Sequence, residues 1–255
     1  NHNMNPRVQF QSYFGDRPPL RYRKRLTKRN YYNIVTQLMI DHDYQDTILS
    51  HSPSLQDVHP VNVSRDFGSF GPYSIKRSTF PHPDMGDGNI HISSPVTQTD
   101  TTFAVIVFLH GFQWSSPNDY HFLIKFLTSN GYIVIFPSYK LITARLNNRR
   151  RYDLAMKGVD AALELVRPLV DTTRIGIVGH SFGGGLVPAF MDHFLNNRHW
   201  GKQGSFMYLI APWYIYHLSP EQLDNFNSST KLIVQVFEDE EFNDWRIGED
   251  FFNTV

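Results

Sequence analysis

The sequence predicts an α/β protein built on a doubly wound, mostly parallel sheet with flanking helices. Three observations predict it. From Phe67 onward, short apolar runs alternate with stretches whose apolar residues recur at helical spacing, joined by short connections. The run Phe103-Ala104-Val105-Ile106-Val107-Phe108-Leu109 is apolar without a break, as a strand covered on both faces must be. The stretch from Arg174 to Gly185 reads as a second buried strand, a sharp turn carrying one serine, and the start of a helix. Crossovers between parallel strands are expected to be right-handed, and ligands of such sheets bind outside the carboxyl ends of the strands.

Composition sets the outer bounds. The chain has 255 residues, of which 41% are hydrophobic and 15% aromatic, enough for a sizeable core. Its formal net charge is zero, so no global field argues for nucleic acid or a membrane surface. Without cysteine there are no disulfides and no thiol chemistry. No run of 18 apolar residues is present, so no transmembrane segment is predicted. No H-E-x-x-H motif and no P-loop appears, and neither a metal nor an organic cofactor is expected. The chain opens on Asn1, and we read it as processed or trimmed, with a secreted or periplasmic setting favoured.

Taken in order, residues 1–66 are expected to form an N-terminal extension with one helix, and residues 67–255 the α/β domain. Pro6, Pro18 and Pro19 argue against regular structure at the start. The basic run Arg21, Arg23, Lys24, Arg25, Lys28 and Arg29 reads as a solvated helix start, offset downstream by Asp41, Asp43 and Asp46. Helical spacing runs from Tyr31 to Leu49, and 50–66 reads as a linker. A strand is predicted from Tyr73 to Phe80, a turn from Pro81 to Gly88 and a short return strand from Asn89 to Ser93. Asp84 and Asp87 beside Gly88 fail the spacing of a calcium loop.

After the Phe103–Leu109 strand, Ser116 caps a helix with Pro117 in its first turn, and Gly131 closes it. Tyr132 to Phe136 is the next buried strand. A loop through Arg149, Arg150 and Arg151 leads to a helix with Tyr152, Ala155, Met156, Val159, Leu163 and Val166 inward. The helix after the serine carries Phe182, Leu186, Phe190 and Phe194 on one side, with Pro188 expected to kink it. Phe206 to Ile210 and Leu232 to Phe237 are further strands, a short helix fits Ser219 to Phe226, and Trp245 to Phe252 begins another helix.

The chemistry concentrates on Gly179-His180-Ser181-Phe182-Gly183, a G-x-S-x-G turn between strand and helix. A dinucleotide-binding turn at Gly176 to Gly184 is the competing reading, but the spacing is not G-x-G-x-x-G. A serine hydroxyl is a weak nucleophile and needs a base, an acid to orient the base, and donors for an oxyanion. The donors expected are the N–H of Phe182 and that of Phe112, where Gly111 lets the loop after the first core strand approach closely. His110 and His180 are read as orienting loops, not as bases. The acid is expected after a later strand, among Glu238-Asp239-Glu240-Glu241-Phe242-Asn243-Asp244: Glu240 first, then Asp244, then Asp239. The base in the order serine, acid, histidine has no candidate after His217. A final strand and histidine loop are expected beyond Val255; the alternatives are a base supplied from elsewhere and a silent site.

From Phe67 to Val255 the chain resembles the α/β-hydrolase superfamily. The likeness is to its cutinase-like polyester hydrolases, dienelactone-hydrolase-like proteins and platelet-activating-factor acetylhydrolases. It rests on Gly71-Pro72-Tyr73 with its two opening strands, His110-Gly111-Phe112, the elbow at Ser181, Ala211-Pro212-Trp213, and the Glu238-Asp239-Glu240 turn. The resemblance implies an α/β-hydrolase fold and a serine esterase working through an acyl-enzyme on small or polymeric esters. It places a cleft-lining, substrate-stacking residue at Trp213. It also places the acid at Glu240, where that family usually has Asp. The alternative function is a catalytically silent module of the same fold that binds a ligand or partner.

Overall fold

The computed structural model describes residues 68–112, 114–139, 147–216, 218–219, 222–223, 226, 230–237 and 243–255. The expectations for residues 1–66 lie outside the described residues. So do His217, Glu238, Asp239, Glu240 and Glu241.

A seven-stranded sheet organises the unit from Phe70 to Val255. Its strands are β1 (Ile75–His82), β2 (Met85–Pro95), β3 (Phe103–Leu109), β4 (Tyr132–Pro137), β5 (Val170–His180), β6 (Gly204–Ile210) and β7 (Thr230–Gln235). They lie in the order β1-β2-β4-β3-β5-β6-β7. The β1–β2 and β2–β4 pairs are antiparallel, and every other pair is parallel. The helices are α1 (His121–Ser129), α2 (Asn148–Val166), α3 (Phe182–Asp192) and α4 (Trp245–Thr254).

The burial pattern follows from this topology. All seven residues of β3 are buried, because β3 sits between β4 and β5 with helices over both faces. Val105, Val107, Leu109, Ile133, Ile135, Ile177 and Met207 face one core with Leu163 of α2, Leu186 and Phe190 of α3 and Phe251 of α4. Ile106, Phe108, Val134, Phe136 and Val178 face the other with Tyr120 and Ile124. Each core strand expected from the sequence is present, with ends moved by up to four residues; the helix expected at Ser219 to Phe226 lies largely outside the described residues.

Two local expectations are corrected. The predicted turn from Pro81 to Gly88 is much shorter, because β1 runs to His82 and β2 begins at Met85, with Pro81 opposite Asn89. The reason is tertiary: His82 Nε2 bonds Leu154 O at 2.9 Å, Asp84 N–H donates to His82 Nδ1 at 3.1 Å, and Asp84 pairs with Lys157. The hairpin is thereby fastened onto α2. Pro81 is tolerated because β1 is an edge strand.

The three arginines expected in a loop instead form the first turn of α2. Asn147 caps that helix, its side chain accepting from Arg150 N–H at 2.8 Å, which outweighs cations at the positive end of the helix dipole. α3 contains Pro188 and continues as a π-helical turn over His193–Asn197. Ser116 caps the turn before α1 with a capping box completed by Asp119, as its position predicts.

Candidate active site

Ser181 stands between β5 and α3 in a strained conformation, φ 52° and ψ −112°. For an L-residue such a backbone costs roughly 1–3 kcal/mol and persists only where its surroundings fix it. Three hydrogen bonds do so here. Ser181 N–H donates to Ile210 O at 2.9 Å, and Ser181 O accepts from Gly185 N–H at 3.2 Å and from Trp213 N–H at 3.0 Å. The end of β6 and the segment after it therefore hold the turn as firmly as β5 does.

The elbow glycines have a measurable reason. A Cβ on Gly179 would lie 2.4 Å from Gly183 O, and one on Gly183 would lie 2.2 Å from Leu109 O. Both obstacles are backbone, so α3 can start this close to the strands only over glycine. Gly185 is closed off by Tyr214, whose carbonyl oxygen would be 2.3 Å from a Cβ there.

The loop after β3 comes next to the elbow. His110 O accepts from Gly183 N–H at 3.1 Å and from Tyr139 O–H at 2.6 Å. The fully buried imidazole of His110 stacks on Tyr139, ring centres 4.0 Å apart. Its Nδ1–H donates to Gly111 O at 2.9 Å, and its Nε2 accepts from Tyr139 N–H at 3.3 Å. Both ring nitrogens are thus used within the fold. Gly111 N–H donates to the Tyr120 hydroxyl at 2.9 Å, and that hydroxyl lies 3.0 Å from His180 Nδ1. The same oxygen thus joins the loop amide to the elbow imidazole. Burial pushes both imidazoles down to about 4, with His110 adding to the effect at His180, so both are neutral at pH 7.

The amides around Ser181 fall into two groups. Those of Gly111, Ser181, Gly183 and Trp213 all have acceptors. Among the described residues no protein acceptor takes the N–H of Phe112 or of Phe182, and the Ser181 hydroxyl has no protein hydrogen-bond partner.

Aromatic rings rim the serine. Half-exposed Phe112 meets Trp213 edge-to-face at 6.0 Å, and Trp213 tilts against buried Phe182 at 6.2 Å. Of the predicted acids, Asp244 is described: it caps α4, accepting from Arg246 N–H at 3.2 Å, and pairs with the Arg246 guanidinium at 2.8 and 3.0 Å. The hydrogen bonds from Arg246 hold its carboxyl below the usual range. Among the described residues no cluster of three or more His, Asp or Glu is arranged to hold a metal ion. No helix there is long and apolar enough to cross a membrane.

Motif spacing singled out Ser181, Phe112 and Phe182, and the family resemblance Trp213, but neither pointed to Tyr120 or Tyr139 beside them. Both tyrosines look like ordinary core positions in a linear sequence, and only the fold brings their hydroxyls to the loop after β3.

Comparison with known proteins agrees with this architecture. A chlorophyllase family profile matches residues 75–197. A bis(hydroxyethyl) terephthalate hydrolase of Streptomyces coelicolor is 30% identical over 125 residues, covering 45% of this chain and 37% of that relative. The matched region is thus little more than a third of the curated relative's length. Carboxyl esterase 2 of the mycorrhizal fungus Tuber melanosporum superposes with a TM-score of 0.53 at 20% identity, covering 86% of this chain and 82% of that one. The chain has the α/β-hydrolase fold, and the three comparisons point together to the α/β-hydrolase superfamily.

Proposed function

We propose that this chain is a serine hydrolase of carboxylic esters. One observation carries the reading: the amides of Phe112 and Phe182 have no protein acceptor, while Gly111, Ser181, Gly183 and Trp213 around them are all bonded. Two uncommitted donors beside a strained, unbonded serine hydroxyl are what an oxyanion site requires. Ser181 Oγ attacks the acyl carbon, the carbonyl oxygen takes the negative charge, and the Phe112 and Phe182 N–H groups stabilise it. The alcohol leaves with a proton from the base, and water then hydrolyses the acyl-enzyme.

Burial makes His110 and His180 weak bases, and their rings are bonded to Gly111, Tyr139 and Tyr120, which argues against either as the base. In this reading the base is a histidine held by the acidic turn after β7, with Glu240 as its partner. Asp244 is left to cap α4. Phe112 and Trp213 flank the serine and receive the apolar part of the ester, small or polymeric. The terephthalate ester hydrolase among its relatives makes aromatic esters the first substrates to try.

A silent binding module is the second reading, favoured by one fact: no described histidine is bonded to Ser181. The test is labelling by a fluorophosphonate together with turnover of a p-nitrophenyl ester and of bis(hydroxyethyl) terephthalate. It is run on the 255-residue chain, on Ser181→Ala and on the protein as its native gene expresses it. The expected result is Ser181-dependent labelling, and turnover lowered at least about 10³-fold in Ser181→Ala. Absence of both in every form establishes the silent module instead.

A further inference from the structure

We propose that Tyr120 is the positioning residue of the oxyanion site: its hydroxyl ties the loop after β3 to the elbow and so fixes the spacing between the Phe112 and Phe182 amides. This rests on the esterase reading above. The two donors belong to different segments, one following β3 and the other opening α3. An oxyanion accepts from both only if they are held about 2.7–3.1 Å from one oxygen position. A misplacement of about 1 Å costs on the order of 10²-fold in rate. The two segments therefore need a cross-link.

Tyr120 supplies it with one oxygen. Gly111 N–H, one residue before Phe112, donates to the Tyr120 hydroxyl at 2.9 Å. The same hydroxyl is hydrogen-bonded to Nδ1 of His180, one residue before Ser181, at 3.0 Å. Both bonds need the phenol oxygen, and phenylalanine could make neither. The ring is placed independently of the loop. It lies in the core on the α1 face, 4.7 Å from Phe108 and 5.8 Å from Phe136, after a turn fixed by the Ser116 capping box. Gly111 permits the approach, since a Cβ there would stand 2.8 Å from His180 Nδ1. His110 O accepting from Gly183 N–H at 3.1 Å is the second tie between the same segments.

The test is Tyr120→Phe in the full chain, which removes the hydroxyl and keeps the ring. The expected result is kcat lower by about 10- to 100-fold with KM within about twofold. Affinity for an alkyl boronic acid, a mimic of the tetrahedral anion, should fall by a similar factor. The Gly111 amide should exchange its hydrogen faster. Val134→Ala, in the same core, is the control: it loosens that core, lowering Tm, but leaves boronate affinity and Gly111 exchange unchanged. Unchanged kcat and boronate affinity in Tyr120→Phe overturn the proposal. Equal losses in Val134→Ala overturn it as well, by showing a packing effect. Should neither the 255-residue chain nor the protein as its native gene expresses it turn over ester or label at Ser181, the esterase reading fails, and Gly111 exchange still decides the cross-link: no change in Tyr120→Phe overturns it.

Discussion

Gly183 in the elbow and Gly176 in the strand before it show how differently two neighbouring glycines are constrained. A methyl on Gly183 meets the carbonyl group of Leu109, at 2.2 and 2.4 Å. A methyl on Gly176 meets the ring of Phe206 at 2.3 Å, a half-buried side chain that can turn aside. Gly183→Ala should therefore cost at least about 2 kcal/mol in urea unfolding and abolish Ser181 labelling. Gly176→Ala should cost about 1 kcal/mol with labelling retained. The G-x-S-x-G pattern was legible because its chemistry is local: strand, serine and helix start are contiguous. Tyr120 was not legible, because its role depends on Gly111 and on His180, 60 residues away.

At the scale of elements, the segment after β6 is an integral part of the site. Trp213 N–H bonds Ser181 O, and Tyr216 N–H bonds Gly185 O at 2.8 Å, so the segment descends along α3. Its lower end is held by Asp192, a buried carboxylate accepting from Gln222 Nε2 and Asn196 Nδ2, both at 2.7 Å. Asp192→Ala should cost about 1–3 kcal/mol and speed hydrogen exchange near Gln222 and Leu223, while Ser181 labelling persists. Buried strands such as β3 were readable from composition alone, since a strand covered on both faces has no polar residue to mislead. The β1–β2 hairpin and the start of α2 were not. Pro81 and the three arginines carry loop-like signals, and the winning terms, the grip of His82 on α2 and the Asn147 cap, are tertiary or lie just outside the misread residues.

For the whole molecule, acid sensitivity follows from the buried imidazoles. His110 and His180 titrate near 4 when folded, because burial disfavours their charge, and near 6.5 when unfolded. As pH falls below about 6.5 the unfolded chain takes up these protons first. Stability is thus complete above that range and is lost progressively down to about pH 4, by roughly 3 kcal/mol per histidine. Urea midpoints should be level between pH 7 and 8 and fall steeply between 6.5 and 4; a level profile there would contradict neutral burial. The sheet order was foreseeable in kind, from alternating strands and helices. The position of α2 and α3 on one face and α1 on the other emerges only from packing.

The unbonded amides of Phe112 and Phe182 have one more consequence. Backbone N–H groups carry no identity of their own, so the groups proposed to hold the oxyanion survive any replacement that keeps the two loops in register. In the proposed reading recognition falls to other parts, the rings of Phe112 and Trp213. In such a division of labour the choice of ester can drift by exchanging rim side chains while the reaction itself is inherited unchanged. Saturating Phe112 and Trp213 with other residues should yield shifted substrate preferences far more often than dead protein, as a screen on a panel of esters would show.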